Sequence, residues 1–261
     1  MLVFPQLSTA ASALYPVTKR VITRSAENVL GDGRRDLAAD PDAALTAWEL
    51  RARGLTRAEW DAIEALYQQT SGRWGTFTFL DPAGNLLAQS ETLTDAAWTK
   101  GPLLQLTAGV ADPFGGARAT RVVNTGQAGA AVEQTLSVPG NYQYCLSAWA
   151  RSGTGSQLAL AIAGVSKSSG VTGQWRRIFA TVNPEQPGAE TVTFGAHLNA
   201  AESVDLFGMQ VEAQLGPSDY KPTGARGGVY ARARFDTDHL TVTAQGTDVH
   251  DAVIRIVNTE S

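Results

Sequence analysis

Cysteine, histidine and charge are scarce in this 261-residue chain, and each scarcity excludes a class of protein. Its single cysteine, Cys145, cannot form an internal disulfide, so the fold must be held by its core. Three histidines and one cysteine offer no spacing that suits a zinc site. Only 18% of the residues are charged and the net charge is −4, which argues against sequence-specific nucleic-acid binding. No apolar run is long enough to span a bilayer, so we expect no membrane insertion.

Enzyme signatures are missing as well. The chain has no phosphate-binding Walker loop, no G-x-S-x-G elbow and no H-E-x-x-H motif. His239 follows Asp236, Thr237 and Asp238, a run that we interpret as a polar turn rather than as a metal cluster. Cys145 lies in the strand-like run YQYCLSAWA without a nearby base, and we expect it to be a small buried hydrophobic residue. The sequence therefore predicts a protein that is not an enzyme and needs no cofactor.

Turn-forming residues are plentiful, since 26 glycines and 11 prolines accompany a hydrophobic content of 43%. This composition favours a turn-rich β protein. One helix is expected, because Thr56 is a natural N-cap and Glu59 completes a capping box three residues later. An apolar stripe at helical spacing follows, and Gly72 is the expected stop. The next run, RWGTFTFL at residues 73–80, alternates as a strand does.

The remaining strand-like runs fall into three groups along the chain. Residues 15–23 and 44–53 flank a turn at Gly31-Asp32-Gly33. Between residues 85 and 223, eight short runs separated by turn residues predict a two-sheet jelly roll. Residues 229–258 hold three more strands, too few to bury a core of their own. We therefore predict a mainly β fold: a discontinuous sandwich or barrel-like domain with one α-helix (residues 1–84 and 225–261), interrupted by an antiparallel jelly roll (residues 85–224).

The first domain resembles a family of phage proteins. Its order is a basic strand, a GDG turn, a tryptophan-bearing strand, a capped helix and the strand GRWGTFTFLDP. This order resembles the core domain of distal tail proteins and related minor tail proteins of long-tailed bacteriophages. The resemblance implies a homo-oligomeric ring, usually hexameric, with the tail tube and the tail hub or tip proteins as partners. It also implies synthesis in the bacterial cytoplasm and a final place at the tail tip of a virion or phage-like particle.

A second resemblance covers residues 85–223. The opening NLLAQSETLTDAAW, the run DPFGGARAT, the strand YCLSAWARS and the closing GMQVEAQLGPSDYKPT resemble jelly-roll modules of the carbohydrate-binding type. Such modules are frequent in phage tail proteins. The resemblance implies a tendency to bind glycans, here a cell-surface glycan, and specifies no ligand. Modules of this kind sometimes hold a structural calcium ion, for which Glu212 or Asp205 are the candidate ligands.

Sugar sites need flat aromatic faces next to planar polar groups. In YQYCLSAWARS, alternation places Trp149 and Arg151 on one face, and we predict that they form a binding platform with Trp175 as a further candidate. The alternative is that Trp149 packs against a loop. Trp98 is expected to be a core residue.

Two other interpretations stay open for the whole chain. It is either a carbohydrate-binding module protein acting alone or beside a glycosidase, or a glycosidase itself, for which no spacing identifies a pair of carboxylates. If the chain forms a ring, the interface is expected at sheet edges and at the apolar segment 1–15, which we predict to pack on a neighbouring subunit.

Overall fold

The computed structural model describes residues 1–258, including every side chain in that range outside residues 40–44. The described residues form a mainly β fold with one α-helix and antiparallel sheets, which confirms the predicted fold class. The elements are β1 (Val17–Val29), β2 (Arg35–Leu55), α1 (Arg57–Gln69), β3 (Phe77–Leu80), β4 (Thr99–Lys100), β5 (Leu104–Val110), β6 (Ala119–Asn124), β7 (Ala130–Leu136), β8 (Tyr144–Arg151), β9 (Ser156–Ile162), β10 (Val165–Val171), β11 (Arg176–Val182), β12 (Val192–Leu198), β13 (Ser203–Glu212), β14 (Val229–Phe235), β15 (Val242–Gly246) and β16 (Val249–Asn258). The one described helix is too short and too polar to cross a membrane.

The chain divides into two compact units. Unit 1 comprises Met1–Ser8, Ala13–Phe79 and the residues from Tyr230 onward. Unit 2 comprises Thr9–Ser12 and Leu80–Val229.

Unit 1 is built on one sheet with the order β1-β2-β16-β14-β3, and β15 also pairs with β16. β16 therefore pairs on one edge with β2 and on the other with β14. The expected alternation in β2 is confirmed, since Trp48, Leu50 and Ala52 are buried. Trp48 meets the ring of Phe79 edge to face, with centroids 5.0 Å apart, so aromatic contacts hold the centre of this core.

Helix α1 begins as the sequence predicts. The Thr56 hydroxyl accepts a hydrogen bond from the Glu59 backbone N–H, and the Glu59 carboxylate accepts one from the Thr56 backbone N–H. The buried side of the helix consists of Trp60, Ile63 and Leu66. The helix ends at Gln69, slightly earlier than expected, because Ser71 already adopts the left-handed conformation ahead of Gly72.

Two expectations for unit 1 are wrong. The strand predicted from residue 73 starts only at Phe77, because the turn after α1 continues through Gly75 and leaves Trp74 81% exposed. The N-terminal segment 1–15 was expected to pack on a neighbouring subunit, but its apolar side chains Phe4 and Leu7 are buried in the core of unit 1 of the same chain. The Phe4 N–H donates to the Thr78 carbonyl and the Thr78 N–H donates to the Leu2 carbonyl. The Phe4 ring contacts the rings of Phe77 and Phe79, so its apolar partners lie inside the chain.

The β1–β2 hairpin is longer than the sequence indicates. The expected turn at Gly31-Asp32-Gly33 is present, but pairing continues down to Val29 and Arg35 next to it. β16 pairs with β2 only over residues 46–55, so the distal part of the hairpin is a two-stranded ribbon. Every residue of β1 after Val17 is exposed.

Unit 2 is a β-sandwich of two five-stranded antiparallel sheets, with the orders β10-β9-β12-β7-β4 and β11-β8-β13-β6-β5. Their facing sides share one apolar core, in which Tyr144 meets Phe194 edge to face at 5.3 Å. Trp98 is the expected core residue, 2% exposed, and its indole N–H donates to the Gln89 carbonyl.

Candidate functional site

The second sheet of unit 2 presents a polar and aromatic outer face. In β8, Leu146, Ala148 and Ala150 point into the core, as the alternation of the sequence predicts. Trp149 and Arg151 therefore lie on the opposite side of the sheet, and both are half-buried. We call this surface the aromatic–arginine face and define it by residues from four strands and two loops: Phe114, Arg121, Trp149, Arg151, Trp175, Arg177, Asp205 and Phe207.

Trp149 is covered on one side by a loop, as the alternative interpretation expects. The ring of Phe114 meets it edge to face, with centroids 5.5 Å apart, and also contacts the buried ring of Phe207 at 5.9 Å. Phe114 itself stays 59% exposed. The two rings Phe114 and Trp149 thus form an apolar surface open to solvent, of the kind that sugar C–H groups pack against.

Asp112 fixes the loop that carries Phe114. Its carboxylate accepts hydrogen bonds from the backbone N–H groups of Phe114 and Gly116 and from the Arg118 side chain at 2.8 Å. Burial raises the pKa of Asp112, but these donors outweigh burial and lower it to about 2. A buried carboxylate with this many partners holds the loop in a defined shape.

Arg151 lies between an aromatic ring and a carboxylate. Its guanidinium carbon lies 4.7 Å from the centroid of Trp175, and its Nε donates to Asp205 at 3.0 Å. Arg121 binds the same carboxylate with two N–H groups, at 2.7 and 3.2 Å. Although burial raises the pKa of Asp205, the two guanidinium groups hold it below its usual value. The structure therefore brings all three predicted residues, Trp149, Arg151 and Trp175, onto one face; their binding of a glycan stays a prediction.

Arg177 lies directly opposite Trp149 on the neighbouring strand. Its side chain donates to the Ser218 carbonyl at 2.5 Å and to the Ser147 hydroxyl at 3.1 Å, both neutral groups. Its Nε–H, together with the indole N–H groups of Trp149 and Trp175, is shielded from solvent and meets no acceptor in the described part of the chain. Donors therefore outnumber acceptors at this place.

The other half of the same sheet is closed by the segment 214–223. Glu212 is 4% exposed and accepts hydrogen bonds from Ser218, Lys221 and Gln210. Burial raises the pKa of Glu212, and these donors more than reverse the effect. Asp205 and Glu212 are thus both bound to cationic side chains, an arrangement that does not favour calcium binding by either of them. Within residues 1–258, and leaving aside side chains 40–44, no cluster of acidic, histidine and cysteine side chains is arranged to hold a metal ion.

Three further residues considered in the sequence analysis are Cys145, His197 and His239. Cys145 is fully buried, and burial raises the pKa of its thiol to about 11, which fits the expected buried hydrophobic residue. His197 lies on the outer face of the other sheet, with its Nε2 atom 2.9 Å from a carboxylate oxygen of Glu133. His239 lies in the polar turn that the sequence predicts, where the Thr237 hydroxyl donates to its carbonyl.

Sequence reasoning missed Phe114, Arg121 and Arg177 as members of the face. Phe114 had a usable signal: a lone aromatic residue between proline and two glycines, in DPFGG, is typical of an exposed turn. Arg177 had none, because only the strand register of β8 and β11 places it beside Trp149.

Comparisons with known proteins identify no family for this chain: no protein-family profile matches it, and neither does any curated protein. Among solved structures, it is similar to the enzymatically active domain of tailspike protein 4 of bacteriophage CBA120 (15% identity, TM-score 0.39), covering 51% of this chain and 22% of that one. It is also similar to the C-terminal family 22 carbohydrate-binding module of Clostridium thermocellum Xyn10B (14% identity, TM-score 0.40, 51% and 96% coverage). A third similar structure is the CBM22-1 xylan-binding domain of Paenibacillus barcinonensis Xyn10C (11% identity, TM-score 0.38, 52% and 94% coverage). All three TM-scores are below 0.5, so the ligand must be inferred from the site itself.

Proposed function

We propose that this chain is a structural, non-catalytic subunit of a phage or phage-like tail tip, in which unit 1 assembles with copies of itself into a ring. The ring, hexameric by analogy with the distal tail proteins that unit 1 resembles, would join the tail tube to the tip. The observation that carries this proposal is the β1–β2 hairpin.

The hairpin is an unusual surface for an isolated protein. A two-stranded ribbon is marginally stable in water unless something packs on it. Val21, Ile22 and Leu37 on this hairpin are nevertheless 73%, 43% and 70% exposed. Exposed apolar side chains concentrated on an edge strand favour a protein partner.

A second copy of the chain is the partner that the charges favour. The hairpin carries both signs: Glu27 pairs with Arg35 and Asp32 pairs with Arg34. Such a mixed surface can meet the corresponding region of a neighbour without building up like charge. Because a heterologous contact closes into a ring when its rotation permits, repetition of one hairpin contact is sufficient for a closed assembly.

The assembly state tests this proposal. Light scattering and negative-stain images of the purified full chain, alone and with tail-tube and hub proteins, are expected to give closed rings. Labelling this protein in native particles is expected to mark the tail tip. A chain that stays monomeric under all these conditions and binds a polysaccharide column would support the alternative, a stand-alone or accessory carbohydrate-binding protein.

A second activity, binding of host-surface glycan by unit 2, is favoured by the aromatic–arginine face. It combines an exposed aromatic surface with hydrogen-bond donors that the protein does not use. Several such faces on one ring would raise the avidity for a glycan-coated surface even if each site binds weakly. Binding of the purified chain to a panel of neutral and acidic polysaccharides tests it.

A further inference from the structure

The charges of the aromatic–arginine face are unequal. Among the residues that define it, Arg121, Arg151 and Arg177 are accompanied by one carboxylate, Asp205. Glu212, further along β13, is paired with Lys221. Arg121 and Arg151 both bind that carboxylate. Arg177 has no ion-pair partner among the described residues. The face therefore has an excess of positive charge, although the chain as a whole is negative.

The loop next to the face does not remove this excess. Arg118 contributes one more cation, and it is bound by Asp112 and Glu91 at 2.8 and 3.1 Å. Counting the face and this loop together, four arginines are matched by three carboxylates, and the Lys221–Glu212 pair adds one charge of each sign. All three carboxylates are already engaged by guanidinium groups, so none is free to accept from a ligand.

The hydrogen-bonding groups of the face also include more donors than acceptors. Arg177 uses N–H donors only toward a carbonyl and a hydroxyl. The Arg177 Nε–H and the two indole N–H groups of Trp149 and Trp175 meet no protein acceptor. The face is therefore richer in N–H donors than in acceptors, a bias that suits a ligand rich in acceptor oxygens.

We propose that this face selects glycans that carry carboxylate groups, such as polymers of uronic acids, over neutral glycans. The inference rests on the proposed glycan binding and names its ligand class. The rings of Phe114 and Trp149 pack on the C–H surface of the sugar. Arg177, which lies on the strand next to that of Trp149, donates to the carboxylate of the sugar. Arginine suits this role because its planar group can donate to both carboxylate oxygens at once.

A matched pair of polysaccharides tests the inference on the full chain. Polygalacturonate carries a carboxylate on each sugar, and its methyl ester keeps the backbone without the charge. We expect polygalacturonate to bind at least about tenfold more tightly, a difference expected of a charge-assisted hydrogen bond. The preference should shrink when the ionic strength rises from about 0.1 M to about 1 M, because the Debye length falls from roughly 10 to 3 Å.

The possible outcomes distinguish a failure of the carboxylate preference from a failure of glycan binding itself. Equal binding of the two polymers would overturn the preference for carboxylates and leave glycan binding standing. If neither polymer nor any neutral xylan or galactan binds, glycan binding itself is wrong. Binding of the acid form alone, with the expected salt dependence, supports both.

Variants of two adjacent arginines test whether Arg177 is responsible for the preference for the acid form. Arg177→Met should reduce the preference for the acid form several-fold, whereas Arg177→Lys should keep part of it. Arg176→Met is the matched control, since Arg176 is the preceding residue in β11, with the opposite strand parity and an exposed side chain. Because the readout is a ratio between two polymers, a variant that merely weakens the fold would lower both affinities and leave the ratio unchanged. An unchanged ratio in Arg177→Met would overturn the assignment.

Discussion

Phe114 and Trp149 pack edge to face, with ring centroids 5.5 Å and ring planes 78° apart, although one belongs to a loop and the other to a strand. The contact keeps part of the Trp149 ring out of water and leaves Phe114 largely exposed. Their shared surface is the part of unit 2 best suited to stacking with a sugar.

Removing either ring should weaken glycan binding. We expect Trp149→Ala and Phe114→Ala each to lower the affinity for a bound polysaccharide by about tenfold, as the loss of a central aromatic contact does. Affinity electrophoresis or calorimetry measures this directly. Trp74→Ala is a suitable control, because Trp74 is 81% exposed and belongs to unit 1. Unchanged affinity in Trp149→Ala would place the binding site elsewhere.

Asp112 should make the stability of unit 2 depend on pH in the acid range. Its folded-state pKa is about 2, against an ordinary value of 3.8, so the unfolded chain binds the proton more readily. The stabilisation by the carboxylate is therefore fully present above the ordinary value and is lost as the pH falls through about 2. At neutral pH, Asp112→Asn should melt at a lower temperature than the natural chain. This difference in melting temperature should become smaller as the pH approaches 2. Asp219→Asn, at an exposed position, serves as the control. A difference in melting temperature between Asp112→Asn and the natural chain that stays constant with pH would contradict the prediction.

The cap of α1 should contribute measurably to unit 1. Thr56→Ala removes the side-chain acceptor for the Glu59 N–H and should cost about 1 kcal/mol, whereas Thr56→Ser should cost much less. Amide exchange in the first turn of the helix reports the local loss, and calorimetry reports the change in the unfolding of unit 1. Thr241→Ala, an exposed threonine of the same unit, is the control. Equal exchange rates in the alanine and serine variants would show that the hydroxyl is not needed.

The hairpin should control assembly without controlling the fold. We expect the double substitution Val21→Glu and Leu37→Glu to abolish ring formation, because both side chains are exposed and the new charges would have to be buried in the contact. Light scattering measures the mass, and circular dichroism verifies that the subunit stays folded. Leu103→Glu, at a position 64% exposed in unit 2, is the matched control. Rings that survive the double substitution would exclude the hairpin as the interface.

Local interactions made parts of unit 1 predictable. The capping box joins residues only three apart, so Thr56 and Glu59 are visible in the sequence without knowledge of the fold. The alternation of Trp48, Leu50 and Ala52 was equally visible, because one side of β2 is buried. The distal hairpin was missed for the opposite reason: a strand exposed on both faces has no need of alternating hydrophobicity.

The features that could not be predicted depend on contacts between residues far apart in the sequence or on strand register and loop geometry. At Gly75, an added Cβ would lie 2.8 Å from the Thr70 carbonyl oxygen, so a close backbone approach keeps this segment in a turn and delays β3. The segment 1–15 is too apolar to be stable without packing partners, and the rings on which Phe4 packs, Phe77 and Phe79, lie far along the chain. Trp149, Arg151 and Trp175 could be chosen by residue type, whereas Arg177 and Phe114 needed strand register and loop geometry.

The place of β16 in the sheet sets an order of events during synthesis. A ribosome delivers every residue of the sandwich before Val249–Asn258, the strand that joins β2 to β14. Unit 2 can therefore fold before the chain is complete, whereas the sheet that contains β1 and β2 lacks a strand until β16 has been synthesised. Released chains that end shortly before residue 249 should accordingly contain a protease-resistant sandwich beside a first unit that is still digested.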